Sequence, residues 1–429
     1  MTMIDETHDP ARTSWVESAN GPTDFPIQNL PFGIFAPTGE SPHGGVAIGD
    51  QVFDLQAGLA AGVFEGAARI AAEAASGPTL NPLLALGSEP RRALRRRLSG
   101  LLSAGQPERP ELLHAQTNVT LHLPTAIGDY TDFYAGIHHA VNVGRQFRPD
   151  NPLLPNYKHV PIGYHGRASS VRPSGGTVRR PLGQRKPPDA ETPVYGPSQR
   201  LDYELELGLW IGPGNALGEA IPIGDAADHI AGLCLLNDWS ARDIQAWEYQ
   251  PLGPFLAKNF HTTVSPWIVT AEALAPFRTA QPPRPEGDPQ PLPYLMNDTD
   301  QAAGAYALVL EVFLATETMR QQGLAPHRLS RGPASSLYWT LAQLVAHHTS
   351  GGCDLRPGDL IGTGTISAPG SDGFGSLLEI TQGGRAPVTL ASGETRIFLE
   401  VGDQITFAAK AAAEGFVSIG FGPCSGIIA

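Results

Sequence analysis

Cysteine is scarce in this chain. Cys234, Cys353 and Cys424 lie far apart, and none forms a Cys-x-x-Cys pair. That excludes a cysteine zinc knuckle and a dithiol redox motif, and so sparse a count suits a reducing compartment. Positive charge is also short: 29 Lys and Arg face 42 Asp and Glu, for a formal net charge of -13. A nucleic-acid partner needs a basic surface, so none is expected. A local cluster of Arg and Lys can still receive a small anionic substrate. No uncharged apolar run approaches the length of a membrane span. The polar, acidic stretch from Met1 to Asp24 lacks the basic and apolar blocks of a signal peptide. A cytoplasmic protein without a membrane partner is expected. Equally missing are G-x-S-x-G, H-E-x-x-H, G-x-x-x-x-G-K-[ST] and a dinucleotide fingerprint opening a helix, so the function classes those motifs carry are not indicated.

Glycine (49) and proline (40) are plentiful and spread along the chain, which favours short strands and ordered loops over a helical bundle. At 429 residues the chain suits two domains. Residues 1–24 read as a flexible tail without periodicity. Short apolar runs from Pro26 to Leu55 (FGIFA, GVAIG, QVFDL) read as strands. Ala-rich stretches between 56 and 104 have helical spacing. A boundary near residue 120 then separates an N-terminal domain (25–120) from a larger one (121–429). In the latter LELGLWIG, ALVLEVFLA, SLLEITQ, TRIFLEVG and DQITFAA read as strands, with helices expected near 227–234, 240–249 and 335–348. Two Pro/Gly-rich stretches, 171–198 and 275–298, should wrap the surface or approach a site. The expected class is mainly β (α+β).

Four segments carry candidate chemistry. Residues 128–149 (GDYTDFYAGIHHAVNVGRQFRP) gather Asp132, His138, His139, Arg145 and Arg148 among aromatics, the make-up of a small-molecule pocket. Taken alone, the segment favours a plainer reading: Asp132 caps a turn before a helix with histidines on its polar face. In LDYELELGLW (201–210), Glu204 and Glu206 share one face of a strand with Asp202 in line, while Tyr203, Leu205 and Leu207 face a core. Neighbouring acids repel, so that face is either solvated or holds a cation. The stretch 235–263 runs from an apolar strand through Asp238 into a helix with Arg242, Gln245 and Tyr249 on one stripe, then breaks before Lys258. A carboxylate at a strand end beside a cationic stripe reads as site construction. The loop at 358–380 offers Gly362, Gly364, Thr363, Thr365 and Ser367, with Glu379 on the expected following strand able to orient a histidine. His347-His348 ends a helical run and reads as helix-end chemistry.

In this order, with FPIQNLPFGIFA, IGDYTDFY, VPIGYHGRASS, NDWSARDIQAWEYQPLGPFLAKNF and GDLIGTGTIS, the segments resemble the fumarylacetoacetase family over nearly the whole chain beyond the tail. The resemblance implies a small N-terminal SH3-like β-barrel, a larger C-terminal mixed β-roll with short helices, and a homodimer. It implies Asp132, Glu204, Glu206 and Asp238 as ligands of Ca²⁺ or Mg²⁺, with Lys258 and Thr262 tied to a second, structural magnesium. It further implies His139 as base, oriented by Glu379. Substrate and transition-state contacts would come from Tyr134, Arg148, Tyr164, Arg242, Gln245, Tyr249, Lys258 and Thr365. The implied reaction is hydrolysis of a carbon–carbon bond in a β-diketo acid, 4-fumarylacetoacetate. Acylpyruvate hydrolysis and oxaloacetate decarboxylation stand as neighbouring readings. A non-catalytic scaffold is the distant one, set aside because every side chain of the constellation is present.

Overall fold

The computed structural model describes residues 3–187 and 189–429. Strands Phe32–Pro37, His43–Ile48 and Gln51–Asp54 form an antiparallel meander. Leu113–Ala115 pairs with Gln51–Asp54, and Val119–His122 pairs with Phe32–Pro37. The expected boundary at 120 therefore falls inside a strand of the N-terminal region. Helices Gly66–Ala75 and Ser88–Leu102 pack beside this meander, as the Ala-rich spacing predicts. In the longer helix Arg91, Leu94, Arg95, Leu98 and Leu102 recur three to four residues apart and are all buried.

Residues 3–24, expected as a flexible tail, make specific contacts with helix Ser88–Leu102. The Ser14 hydroxyl donates to the Leu102 carbonyl (2.6 Å) and the Trp15 indole to that of Leu101 (2.9 Å). Buried Arg95 donates to Thr7 Oγ1 at 2.9 Å. The sequence lacks periodicity there because the segment is held by side chain–backbone bonds, not by an amphipathic element.

The N-terminal strands do not close into a barrel among the described residues. Their pairing continues into the C-terminal region, where Phe32 lies opposite Ile268 and Gly33 opposite Trp267. The large sheet then runs through Trp267–Thr270, Ile230–Asp238, Leu205–Ile211, Leu360–Gly362, Tyr130–Phe133 and Gly163–His165. A second sheet carries His327–Pro333, Leu308–Ala315, Gln404–Ala411, Cys424–Ile428 and Gly176–Val178. One core joins the two, with Leu205, Leu207 and Leu209 of the first, and Tyr203 just before them, together with Leu310, Val312, Ile405 and Phe407 of the second. The class is mainly β with short helices.

Three local expectations need correction. SLLEITQ is no strand: Leu377–Ile380 is a short helix. Of 227–234 only Ala226–His229 is helical, and strand Ile230–Asp238 follows directly. TRIFLEVG keeps only Thr395–Arg396 as strand, because buried Arg396 is drawn to Asp403 across a turn. Helices Arg242–Glu248 and Leu341–Thr349 fall where expected, the latter ending on His347 and His348. No helix among the described residues is long and apolar enough to cross a membrane.

Candidate active site

Three strands of the large sheet, two of them separated by Leu360–Gly362, deliver three acids to one point. Gly362 lies opposite Gly208 on one side and Asp132 on the other, while Glu206 pairs with Leu236 two residues before Asp238. Carboxylate oxygens of Asp132, Glu206 and Asp238 lie within 4.8 Å of one another, and all three residues are buried. The plainer reading of Asp132 as a helix cap is thus corrected, since it sits on a strand that ends before helix Ile137–Phe147. Gly362 makes the convergence possible: a Cβ there would lie 2.4 Å from Asp132 Oδ1. The Gly364 amide donates to Glu206 Oε2 (2.9 Å) and to Asp132 Oδ1 (3.2 Å).

This group is short of positive charge. Burial, then repulsion from neighbouring acids, pushes Asp132 and Glu206 well above the ordinary carboxylate range. Asp238 is raised too, first by burial, although Lys258 opposes the shift. Glu206 Oε1 is buried without a hydrogen-bond partner. Oxygen donors alone, buried and under-compensated, fit a hard divalent cation.

Glu204 lies in the break between Leu201–Asp202 and Leu205–Ile211, outside this trio. Its Oε1 accepts from Arg242 Nη1 at 2.6 Å, and its Oε2 from Lys258. Burial would raise Glu204, but the Lys258 and Arg242 charges hold it below the ordinary range. Lys258 also donates to Asp238. Its own pKa stays raised, because Asp238 and Glu204 outweigh burial. The Lys258 side chain is thus a charge partner of both acids. Thr262 Oγ1 reaches Asp238 Oδ1 at 3.4 Å. Among the described residues, no second acidic group gathers around Lys258 and Thr262.

The other arm of the site is fully bonded. His139, two residues into helix Ile137–Phe147, sets Nδ1 2.7 Å from Glu379 Oε2. The same oxygen accepts from Ser367 (2.9 Å) and Ser376 (2.8 Å), and Oε1 accepts from Asn142 (2.9 Å). Burial raises Glu379, yet the His139 charge and these bonds bring it below the ordinary value. With Nδ1–H donated to the carboxylate, His139 keeps Nε2 free of it, 4.0 Å from Glu204 Oε1. Tyr134 stands edge-on to the imidazole at 5.7 Å, and its own backbone carbonyl accepts from Tyr157 (2.7 Å).

The structure also joins Arg242 to Gln245, whose Oε1 accepts from Nη1 at 3.2 Å. Tyr164 donates to Asp238 Oδ2 at 2.8 Å, tying it to the acids. Thr365 is buried, with its carbonyl tight against Gly136. Arg148 donates to the Pro152 carbonyl at 3.2 Å, and Tyr249 is exposed at the end of its helix. Sequence reasoning missed Asn142, Ser376 and the full role of Asp202. Asn142 follows His139 by three residues, one helical turn, and Ser376-Leu-Leu-Glu379 has the spacing of a capping box.

Solved structures share the fold: a fumarylacetoacetate hydrolase from Exiguobacterium antarcticum matches with TM-score 0.51 at 15% identity, over 93% of this chain and 99% of that one. Among curated proteins, fumarylacetoacetase of Arabidopsis thaliana is 48% identical over 94% of this chain and 95% of its own. The Homo sapiens fumarylacetoacetase is 46% identical over 94% and 96%, and that of Oryza sativa subsp. japonica 45% over 99% and 98%. The family models "Fumarylacetoacetase N-terminal" and "Fumarylacetoacetate (FAA) hydrolase C-terminal" match residues 28–124 and 130–425. With both halves matched across the acids and the His139–Glu379 pair alike, the chain belongs to the fumarylacetoacetate hydrolase family.

Proposed function

We propose that this chain hydrolyses the carbon–carbon bond of 4-fumarylacetoacetate to fumarate and acetoacetate, the last step of tyrosine and phenylalanine breakdown. The observation that carries this is near full-length identity of 45–48% to fumarylacetoacetases from plants and animals. The acylpyruvate and oxaloacetate readings lack support of that kind.

Asp132, Glu206 and Asp238 would hold Ca²⁺ or Mg²⁺, with Glu204 as the fourth carboxylate. Such a cation would supply Lewis-acid polarisation of the diketone. His139 Nε2 takes a proton from water while Glu379 keeps the ring oriented. The hydroxide formed attacks the carbonyl beside the scissile bond. Arg242, Gln245 and Lys258 balance the charge that develops on that oxygen. The carbon–carbon bond then breaks with its electron pair on the acetoacetate side, and the enolate takes the proton back from the His139 imidazolium. Tyr134, Arg148, Tyr164, Tyr249 and Thr365 bind the substrate, with Arg148, Tyr164 and Tyr249 at its terminal carboxylate. Lys258 and Thr262, both beside Asp238, would belong to a second, structural magnesium. We read the N-terminal strands as SH3-like and the rest as a catalytic β-roll, divided near residue 120.

A cytoplasmic homodimer completes the proposal. Two buried free thiols, Cys234 and Cys424, fit a reducing compartment. Exposed Trp247, Leu252 and Phe255, beyond Gln245, offer an apolar strip to a second copy. The test is the fall in ultraviolet diketone absorbance of fumarylacetoacetate with Ca²⁺ and Mg²⁺ titrated separately. No fall with either cation would overturn the reaction. Faster turnover of acetylpyruvate than of fumarylacetoacetate would move the assignment to the neighbouring activity.

A further inference from the structure

Asp202 is wholly buried and belongs neither to the acidic trio nor to the His139–Glu379 pair. Its carboxylate nonetheless touches both sides of the site. Oδ2 accepts from Arg242 Nε at 2.9 Å and from the Leu378 amide at 3.0 Å. Oδ1 accepts from the amides of Leu377 and Tyr203, both at 2.8 Å. Leu377 and Leu378 open the short helix that carries Glu379, and the Ser376 hydroxyl accepts from the third amide, that of Glu379 itself, at 3.4 Å. Two residues thus share the first three amides of one turn. Ser376 serves the amide of Glu379, and Asp202 anchors the turn to the arginine.

The guanidinium shows what the anchoring achieves. Nε is held by Asp202, and Nη1 by Glu204 and Gln245. Nη2 is buried without a partner. A planar fork fixed along two sides has one nitrogen left to offer a developing oxyanion. An unpaired buried donor is costly, so it persists where a ligand completes it.

We propose that Asp202 is a positioning residue that locks the Arg242 guanidinium and the Glu379 helix into one register. The oxyanion donor and the histidine orienter then move as a unit. This rests on the proposed hydrolysis, in which Arg242 and His139 act on the same substrate carbonyl. Asp202→Asn keeps the shape, but its N–H₂ faces either Arg242 and the Leu378 amide or the amides of Leu377 and Tyr203. The helix loses an amide acceptor in both orientations, and the carboxylate charge on Arg242 is lost.

The experiment uses the cation-loaded full chain. Asp202→Asn is expected to lower kcat about 10- to 100-fold, the range typical of partners that orient a catalytic group. KM should stay within a few-fold. The low-field proton resonance of the His139 Nδ1–H bonded to Glu379 should shift or broaden in the variant, although Asp202 touches neither residue's side chain. A merely structural Asp202 would lower the melting temperature and leave kcat per folded molecule and that resonance alone; this result overturns the proposal. Should Asp202→Asn fail to fold, Asp202→Ser, which retains a capping oxygen but not the arginine link, is read the same way. A wild type that leaves fumarylacetoacetate intact brings down the reaction itself, whereas an active wild type matched by Asp202→Asn brings down this inference alone.

Discussion

Asp132 and Glu206 on one side of the site and Glu379 on the other are equally buried, 2%, 0% and 2% exposed, yet their charges are treated in opposite ways. Glu379 receives four side-chain contacts, from His139, Asn142, Ser367 and Ser376. Its pKa falls in spite of burial. Asp132 and Glu206 share the Gly364 amide, repel each other and rise. Burial alone therefore does not decide how a carboxylate behaves; the donors around it do. The contrast separates a finished arm, ready to orient a histidine, from an arm that lacks only positive charge.

The sharpest way to break this division is to remove the histidine. His139→Ala should lower kcat by about 10²- to 10⁴-fold, the usual worth of a general base, with cation affinity by calorimetry almost unchanged. Full turnover in that variant would show that the finished arm handles no proton. Next, Glu206→Gln should weaken Ca²⁺ or Mg²⁺ binding by more than about 100-fold, beyond the loss typical of outer partners. An unaltered binding isotherm would refute the cation reading of the trio.

Stability of the cation-free protein should split the two arms by sign. In urea with chelator, Glu379→Gln should cost about 2–3 kcal/mol, because buried donors lose a charged acceptor. Asp132→Asn should instead stabilise by about 1 kcal/mol, because it removes a repelled charge. Two changes of the same sign would erase the distinction.

The smallest effect is in acid. Glu379 has a folded pKa below its ordinary value of 4.5, so the unfolded chain binds the proton more readily. Its contribution is fully present above that value and is lost as pH falls through the lower, folded one. Melting temperature recorded through the acid range should therefore drop less steeply for Glu379→Gln than for wild type. Parallel curves would mean that the carboxylate is not held ionised by its donors.

Much of this site was legible because it lies on strands. Alternation placed Tyr203, Leu205 and Leu207 on a core face, and the structure buries all three. The stripe of Arg242 and Gln245 followed from helical spacing and is realised as a direct contact. What escaped was non-local. Nothing in the spacing of Glu204 and Glu206 says that one goes to Arg242 and Lys258 while the other meets Asp132. That choice depends on a strand break and on a register with Leu360–Gly362 far along the chain. SLLEITQ looked like a strand because its apolar residues are compatible with one. The capping spacing of Ser376 and Glu379 was the local cue to a helix. The contacts of residues 3–24 with helix Ser88–Leu102 escape a sequence reading because polar contacts leave no periodic trace.

The pairing of Gly33 with Trp267 has a consequence for the order of assembly. A nascent chain emerges N-terminus first, and the strand Phe32–Pro37 must wait until well over half the chain has been made before this sheet partner appears. During that interval the edge at Phe32 and Gly33, beyond the pairing with Val119–His122, is a template for wrong pairing. The early meander and its two helices can fold locally, but the sheet that carries Asp238 and Glu206 closes only after long-range contacts form, a slow kind of topology. Mutations at this seam, such as Gly33→Ala, where a Cβ would sit 2.5 Å from the Trp267 ring, should therefore lower the yield of soluble protein during synthesis more than the activity of molecules that have already folded.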